Sequence, residues 1–301
     1  MIVFWAILVL LLLYFGFGVW VAFSYLHRKA EQKPLPNELL PYKEDVAKKE
    51  KELRAKGLTD VYRTANRYRL HAEYLPCPNT KKAVLLVHGM DGWTKDRYLD
   101  TDFYLNRGYA LLMPDLRGHG GSEGHWTGMG QYERTDLLVW FDFLKEQLGP
   151  DCSVVMDGWS MGAASALLIA SDGNAENLAA AVADCGFSDT KEEIVYVLSL
   201  SKVPAFFYFP VRVMTFLLAG YDLSKSSPRS VLDRCRVPVL FLHGDKDKVV
   251  PVEMSQKMYE RCSSEKELCI IPDARHCAAR LTDRVHCETV LENFLNKYVK
   301  N

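Results

Sequence analysis

Residues 157–162 read Asp-Gly-Trp-Ser-Met-Gly, so Ser160 stands between Gly158 and Gly162 in a G-x-S-x-G pattern directly after the apolar run CSVVM. A serine hydroxyl is a weak nucleophile unless a sharp turn holds it out beside a base. Where a strand enters such a turn and a helix leaves it, the turn strains the serine backbone. The glycines are then required because side chains at 158 and 162 would strike the neighbouring strand and helix. Alone, the pattern fits an ordinary loop equally well. Here an apolar strand candidate precedes it and the small-residue run MGAASALLIASDG follows, which favours a nucleophile turn. The helix that starts after Ser160 also turns its positive dipole end toward the reacting centre.

A serine nucleophile needs a base, and the base needs a third group that fixes its tautomer and steadies the imidazolium. With serine first in the chain, the order to look for is serine, acid, histidine. The run VPVLFLHG ends in HGDKDKVVP, where Asp245 and Asp247 compete for the acid; ELCIIP leads into DARHCAARLTD, where His276 lies in a loop. The plainer alternatives are a turn or capping role for Asp247 and a surface position for His276. His286, at the start of a predicted helix, is the weaker base, and Asp184, at another strand end, the weaker acid. The oxyanion of a tetrahedral intermediate needs preorganised donors. The backbone N–H groups of Met161 and of Met90, in the loop HGMDGW, are the candidates.

Those residues require a scaffold. RYRLHAEYL (67–75) alternates, with Tyr68, Leu70, Ala72 and Tyr74 on one face, and DVYRT before it reads as its hairpin partner. The runs at 83–89, 108–115, 152–158, 178–184, 237–244 and 267–273 are continuously apolar, as strands covered on both faces are. Helical candidates lie between them at 101–108, 131–149, 161–173 and 285–299. In the segment 131–149, Leu138, Phe141, Leu144 and Leu148 recur at helical spacing. Strand–helix alternation predicts an α/β fold with a mostly parallel, doubly wound sheet whose ligands gather at the carboxyl ends of the strands.

Residues 1–26 carry no charged side chain, enough for a helix that crosses a bilayer, and His27, Arg28 and Lys29 follow. Trp20 and Tyr25 are candidate interface anchors. The segment lacks the charged start of a secretory signal and is longer than its apolar core. Cleavage near Ala22-Phe23-Ser24 is the alternative. Arg28, Lys29 and Lys33 lie after the span and none lies before it, which places the bulk of the chain in the cytoplasm as a single-pass protein; the alternative is the extracellular side, anchored or secreted. Residues 27–59 then read as a proline-bearing linker and a charged, solvated helix closed by Gly57, and 60–301 as the folded domain.

The bulk composition narrows the function classes. Lys plus Arg is 37 against Asp plus Glu 38, with no basic stripe of the kind nucleic-acid binding requires. The eight cysteines form no C-x-x-C pair, which disfavours zinc or thioredoxin-type chemistry and leaves no metal assigned. Oligomeric state has no sequence signal.

LLVHG, PDLRGHGGSEG, GWSMG, HGDKDKVVP and the loop histidine, in that order, resemble the α/β-hydrolase fold over roughly residues 60–300. The flavour resembles the bacterial serine aminopeptidase-like and monoacylglycerol-lipase-like branch. The resemblance implies an acid at Asp247, through G-x-x-D-x-x-V-P from Gly244, and a bracing loop role for Asp115, Arg117 and His119. It departs at Arg275, where such proteins usually carry glycine before the histidine. It also implies that 186–235, between two strands, is a helical cap. Its PAFFYFP stretch (Phe206, Phe207, Tyr208, Phe209) reads as an apolar lid over an acyl or aryl group, as packing of the cap on the body, or as a membrane contact. The implied reaction is carboxylic ester hydrolysis of a small molecule through an acyl-enzyme on Ser160, without a cofactor. An aminopeptidase with Glu192 or Glu193 holding the amine, an acyltransferase and a non-catalytic scaffold are the alternatives.

Overall fold

The alternating and the continuous apolar segments form two kinds of strand in one sheet. In the computed structural model, which describes residues 1–28 and 33–299, β1 (Thr59–Ala65) and β2 (Tyr68–Leu75) make a hairpin turning at Asn66 and Arg67, both with positive φ. The apolar runs become β3 (Lys82–Val87), β4 (Ala110–Pro114), β5 (Ser153–Trp159), β6 (Leu178–Asp184), β7 (Val239–Gly244) and β8 (Lys266–Ile271). The strand order is β1-β2-β4-β3-β5-β6-β7-β8. β2 runs antiparallel to β1 and β4, and every later pairing is parallel.

The helices are α1 (Ile2–Val21), α2 (Lys43–Ala55), α3 (Thr101–Leu105), α4 (Gln131–Leu148), α5 (Met161–Asp172), α6 (Thr190–Leu200), α7 (Tyr208–Ala219), α8 (Pro228–Val231), α9 (Val252–Arg261), α10 (Ala279–Thr282) and α11 (Arg284–Tyr298). Strand periodicity sorts the core into two layers. Ala83, Leu85, Val87, Val154 and Met156 point to the face covered by α4 and α5, whereas Val84, Leu86 and Val155 point to the face covered by α3 and α11. Both faces are dry, which is why these strands lack alternation. On α4 the most deeply buried stripe is Leu137, Trp140, Phe141 and Leu144. Leu138 and Leu148 lie at its margin, a small rotation from the seam expected at 138, 141, 144 and 148.

Two N-terminal expectations change. The charged segment α2 is not a wholly solvated helix. Val46 and Leu53 bury in the α3/α11 layer, while Lys49–Asp102 (2.6 Å) and Lys95–Glu50 (2.6 Å) tie its polar face to α3 and the turn before it, and Arg54–Glu73 ties it to β2. Two apolar residues seven apart make one stripe among many charges, too sparse to stand out in the sequence. α1, continued by a π-helical turn over Ala22–Leu26, is long and apolar enough to cross a membrane, and most of its length is exposed. Its last third, however, lies against α7. A Cβ on Gly18 would sit 2.5 Å from the Pro210 carbonyl oxygen, so only glycine allows this approach. We expect Gly18→Leu to cost about 1–3 kcal/mol, the usual range for overpacking, read as a lower Tm of the detergent-solubilised protein; an unchanged Tm would mean that α1 and α7 are not docked.

Candidate active site

β5 delivers Ser160 through a turn with φ 53° and ψ −113°. The glycines around it are sterically obligatory. A Cβ on Gly158 would lie 2.3 Å from the Gly162 carbonyl, and one on Gly162 would lie 2.6 Å from the His88 carbonyl oxygen. The Ser160 N–H donates to the Asp184 carbonyl (2.9 Å), pinning the turn to β6. α5 begins at Met161, whose N–H belongs to the first helical turn and has no intrahelical acceptor.

The loop after β8 brings His276 into the same pocket as Ser160. His276 Nδ1 lies 2.7 Å from Asp247 Oδ2, and the other Asp247 oxygen accepts from the N–H groups of Val249 (2.8 Å) and Val250 (2.9 Å). His243 Nε2 also approaches Asp247, at 3.2 Å. Burial opposes ionisation of Asp247. The hydrogen bonds from His243 and His276, the charge of His276 and the Val250 N–H outweigh it and hold the carboxyl well below the usual carboxylate range. Asp245 points elsewhere, accepting from the Asp273 N–H (2.7 Å) and pairing with Lys246. His286 is exposed at the start of α11, and Asp184 is buried with neither carboxylate oxygen hydrogen-bonded, so neither joins the pair. Burial pushes the Asp184 carboxyl up to about 6. Arg275 is exposed and lies outside the pocket lining.

The facing loop is Gly89-Met90-Asp91-Gly92. Met90 lines the pocket, and a Cβ on Gly89 would come within 3.2 Å of the Ser160 Cβ. Two buried histidines brace this loop. His119 Nε2 accepts from the Asp91 N–H (3.1 Å), and His88 Nε2 accepts from the Leu116 N–H while its Nδ1 reaches the Gly89 carbonyl (2.6 Å). Burial lowers both, His119 to about 3, so each is neutral and bonds as a fixed tautomer. Asp115 accepts from His71 (2.6 Å), the Thr94 N–H and the Gly121 N–H, and Arg117 forks onto Asp136. The DLRGHGGS loop therefore holds the neighbourhood of Ser160 in shape without entering the pocket.

Three features of the site carried no signal in the sequence. First, Lys33, Pro34, Pro36 and Glu38, read as linker, line the Ser160 pocket, and Arg28 and Lys33 pair with Asp91. The basic residues after the apolar segment thus face protein; Lys29 lies outside the described residues. Second, a buried ionic cluster lies behind the Ser160 turn. Arg97 bonds Asp100 (2.8 Å), Asp157 (3.0 Å) and the Val87 carbonyl (3.0 Å), while Arg280 (2.7 Å) and Tyr104 (2.7 Å) bond the other Asp157 oxygen. The cluster joins the carboxyl ends of β3 and β5. Arg97→Met leaves two buried carboxylates short of a partner and is expected to cost about 3–5 kcal/mol, measured as a lower urea midpoint; a loss under about 1 kcal/mol would show that the cluster relaxes. Third, Cys185 comes to 3.5 Å from Cys277, and their sulfurs and a His276 ring nitrogen lie within 4.8 Å of one another. Sequence spacing could not reveal that group because Cys185 sits on a distant strand end.

The cap aromatics are not at the pocket. Phe206 and Phe209 are 61% and 56% exposed. Phe206 stacks on Tyr14 (6.0 Å), Phe207 meets Phe17 edge-on (4.8 Å) and Phe209 meets Phe15. Tyr208 is buried within the cap. The expectation of a lid formed by these four side chains is corrected: Phe206, Phe207 and Phe209 join the cap to α1, as an aromatic-rich edge does when an apolar helix is available to cover it, and Tyr208 packs inside the cap. Glu193, from α6, turns inward instead. It is 2% exposed, with Oε2 lacking a hydrogen-bond partner, and it lies within the fields of His276 and Asp247. Burial pushes its carboxyl up to about 8. Glu192 is engaged by Lys257 and Ser188.

The family model of the prolyl oligopeptidase family matches residues 97–301. The uncharacterized protein YqkD of Bacillus subtilis is 27% identical over 238 residues, covering 78% of either chain. An uncharacterized membrane protein of Saccharomyces cerevisiae is 28% identical over 178 residues, 58% of this chain and 57% of its own. The zebrafish (Danio rerio) lysophosphatidylserine lipase ABHD12 is 26% identical over 175 residues, 54% of this chain and 41% of its own. Among solved structures, the Pyrococcus furiosus esterase Pf2001 superposes with TM-score 0.68 at 22% identity, covering 90% of this chain and all of its own. Pyrococcus horikoshii acylaminoacyl peptidase superposes with TM-score 0.62 at 16% identity, covering 81% of this chain and 42% of its own. At these identities the structural likenesses establish the α/β-hydrolase fold.

Proposed function

The chain belongs to the prolyl oligopeptidase family, with the α/β-hydrolase fold, and from that premise we propose that it is a membrane-anchored serine hydrolase acting on carboxylic esters. The observation that supports this reading is the Ser160 turn opening into one pocket with His276, whose Nδ1 is held by Asp247. In this reading Ser160 Oγ attacks the ester carbonyl while His276 Nε2 takes its proton. The Met90 and Met161 N–H groups receive the oxyanion, each worth about 3–4 kcal/mol by the usual deletion measure. His276 returns the proton to the leaving alcohol, and a water activated at the same nitrogen releases the acid and restores Ser160.

Ester is preferred to peptide. Glu192 is already bound to Lys257, and Glu193, pushed up to about 8, is mostly uncharged at neutral pH in the free protein. Neither stands ready to hold a substrate ammonium group. Peptidase action is the second reading, favoured by the family match itself. The apolar α1 and the likeness to a yeast membrane protein support anchoring, and Lys33 and Arg28 after the span favour the cytoplasmic side.

Incubation with a fluorophosphonate probe tests the reading. An adduct mapped to Ser160 is the expected result; a folded protein that stays unlabelled, or is labelled elsewhere, would remove it. The pH profile is a second check. Burial lowers the pKa of His276, but the hydrogen bond to and charge of the Asp247 carboxylate beside it act the other way and raise it above the ordinary 6.5. The base must be neutral to act, so kcat/KM is expected to fall as pH drops, with its acid-side midpoint above 6.5; a midpoint below 6 would contradict the assignment of His276 as base.

A further inference from the structure

A second cavity, of about 350 Å³, lies between α1 and the cap helix α6. Phe17, Val21 and Tyr25 form one wall, and Ile194, Val197 and Leu198 form the other. Its size falls within the ordinary range of small-ligand sites. Its lining is almost wholly apolar, so an apolar occupant gains roughly 25 cal/mol per Å² of surface removed from water.

Its position identifies that occupant. The first wall is the last third of the only described helix long and apolar enough to span a bilayer, so the groove lies at the membrane–water boundary. Beside it the cap exposes Phe206, Phe209, Phe216 and Leu217, an apolar edge continuous with the exposed face of α1. The chain that forms the first wall leads on to the Ser160 pocket, which residues 33–38 line. Three residues beyond Tyr25 of the groove, Arg28 pairs with Asp91 (3.0 Å), and Asp91 lines the Ser160 pocket. Glu193 directly precedes Ile194 of the groove and is buried, 2% exposed. The buried, unpartnered Glu193 oxygen sets a polar group next to the apolar groove wall.

We propose that the groove between α1 and α6 holds the acyl chain of a lipid ester drawn from the bilayer, with its ester carbonyl at Ser160. The inference rests on the serine-esterase reading and names its substrate class. The apolar helix is then part of the substrate site as well as an anchor. The reaction balances as lipid ester plus water giving fatty acid plus alcohol, with Ser160 acylated and released in turn.

The test uses the full chain in detergent micelles, with p-nitrophenyl butyrate and p-nitrophenyl dodecanoate as substrates. Val197→Trp fills the groove and is expected to lower the ratio of dodecanoate to butyrate kcat/KM by about tenfold or more, the scale on which a narrowed apolar pocket discriminates chain length. An unchanged ratio overturns the proposal. Turnover of neither ester by the unmodified protein overturns the serine-esterase reading beneath it, a separate result. A second measurement does not depend on the variant folding: a long-chain alkyl fluorophosphonate with a terminal diazirine is attached at Ser160 and photolysed. Cross-links to residues 17–25 and 194–203 support the groove; cross-links confined to 33–38 or to other surfaces exclude it.

Discussion

Ser160→Ala is expected to lower kcat for p-nitrophenyl butyrate by about 10⁶-fold, and the Ser160→Ala/His276→Ala double variant by no more than that. The reason is that the two side chains act as one unit. Without the hydroxyl the imidazole has no proton to take, and without the imidazole the hydroxyl is not a nucleophile. The turn that holds Ser160 is built from backbone and glycine contacts, at Gly158, Gly162 and the Asp184 carbonyl, none of which involves the serine Oγ. The variant should therefore fold, and its Tm should stay near that of the parent. Residual activity above about 1% in a folded Ser160→Ala protein would place the nucleophile elsewhere.

Asp247→Asn is expected to lower kcat by about 10⁴-fold, whereas Asp245→Asn changes it by less than about threefold. Asp247 Oδ2 meets His276 Nδ1 at 2.7 Å, and an asparagine amide there either presents N–H to N–H or forces the ring into the tautomer with no free Nε2 acceptor. Asp245 is about a third exposed and serves the Asp273 N–H, so its loss costs a loop contact. The sign of the pH effect separates the two groups. Asp247 is depressed, so its contribution is present above the ordinary carboxylate pKa and is lost only as pH falls through its lower folded value. It stays ionised across the range in which His276 titrates, and the acid limb of activity belongs to the histidine. If Asp245→Asn proves the more damaging variant, the acid is misplaced.

The parts of this protein legible in its sequence are those set by local sterics and periodicity. Gly158 and Gly162 declare a turn without room for side chains, and continuous apolar runs declare strands covered on both faces. The alternation of 67–75 declares the antiparallel edge. Each signal lies within a few residues of the feature it specifies. Gly18 is the counter-example. Inside an apolar helix it carries no message until Pro210 is found 2.5 Å from where its Cβ would be.

The sequence by itself determined the order and kind of the elements, the Ser160 turn and the short set of acids and bases that could serve it. Only the tertiary structure decided which of two carboxylates, Asp245 or Asp247, reaches the His276 ring, since both lie in one loop and differ only in direction. It also decided that residues 33–38 wall the pocket, that PAFFYFP faces α1, and that Arg97, Asp157 and Arg280 share one buried cluster. The physical reason is common to all of these. They are pairings between distant segments, selected by burial and charge compensation once the sheet has formed, and a one-dimensional pattern holds no record of the partner.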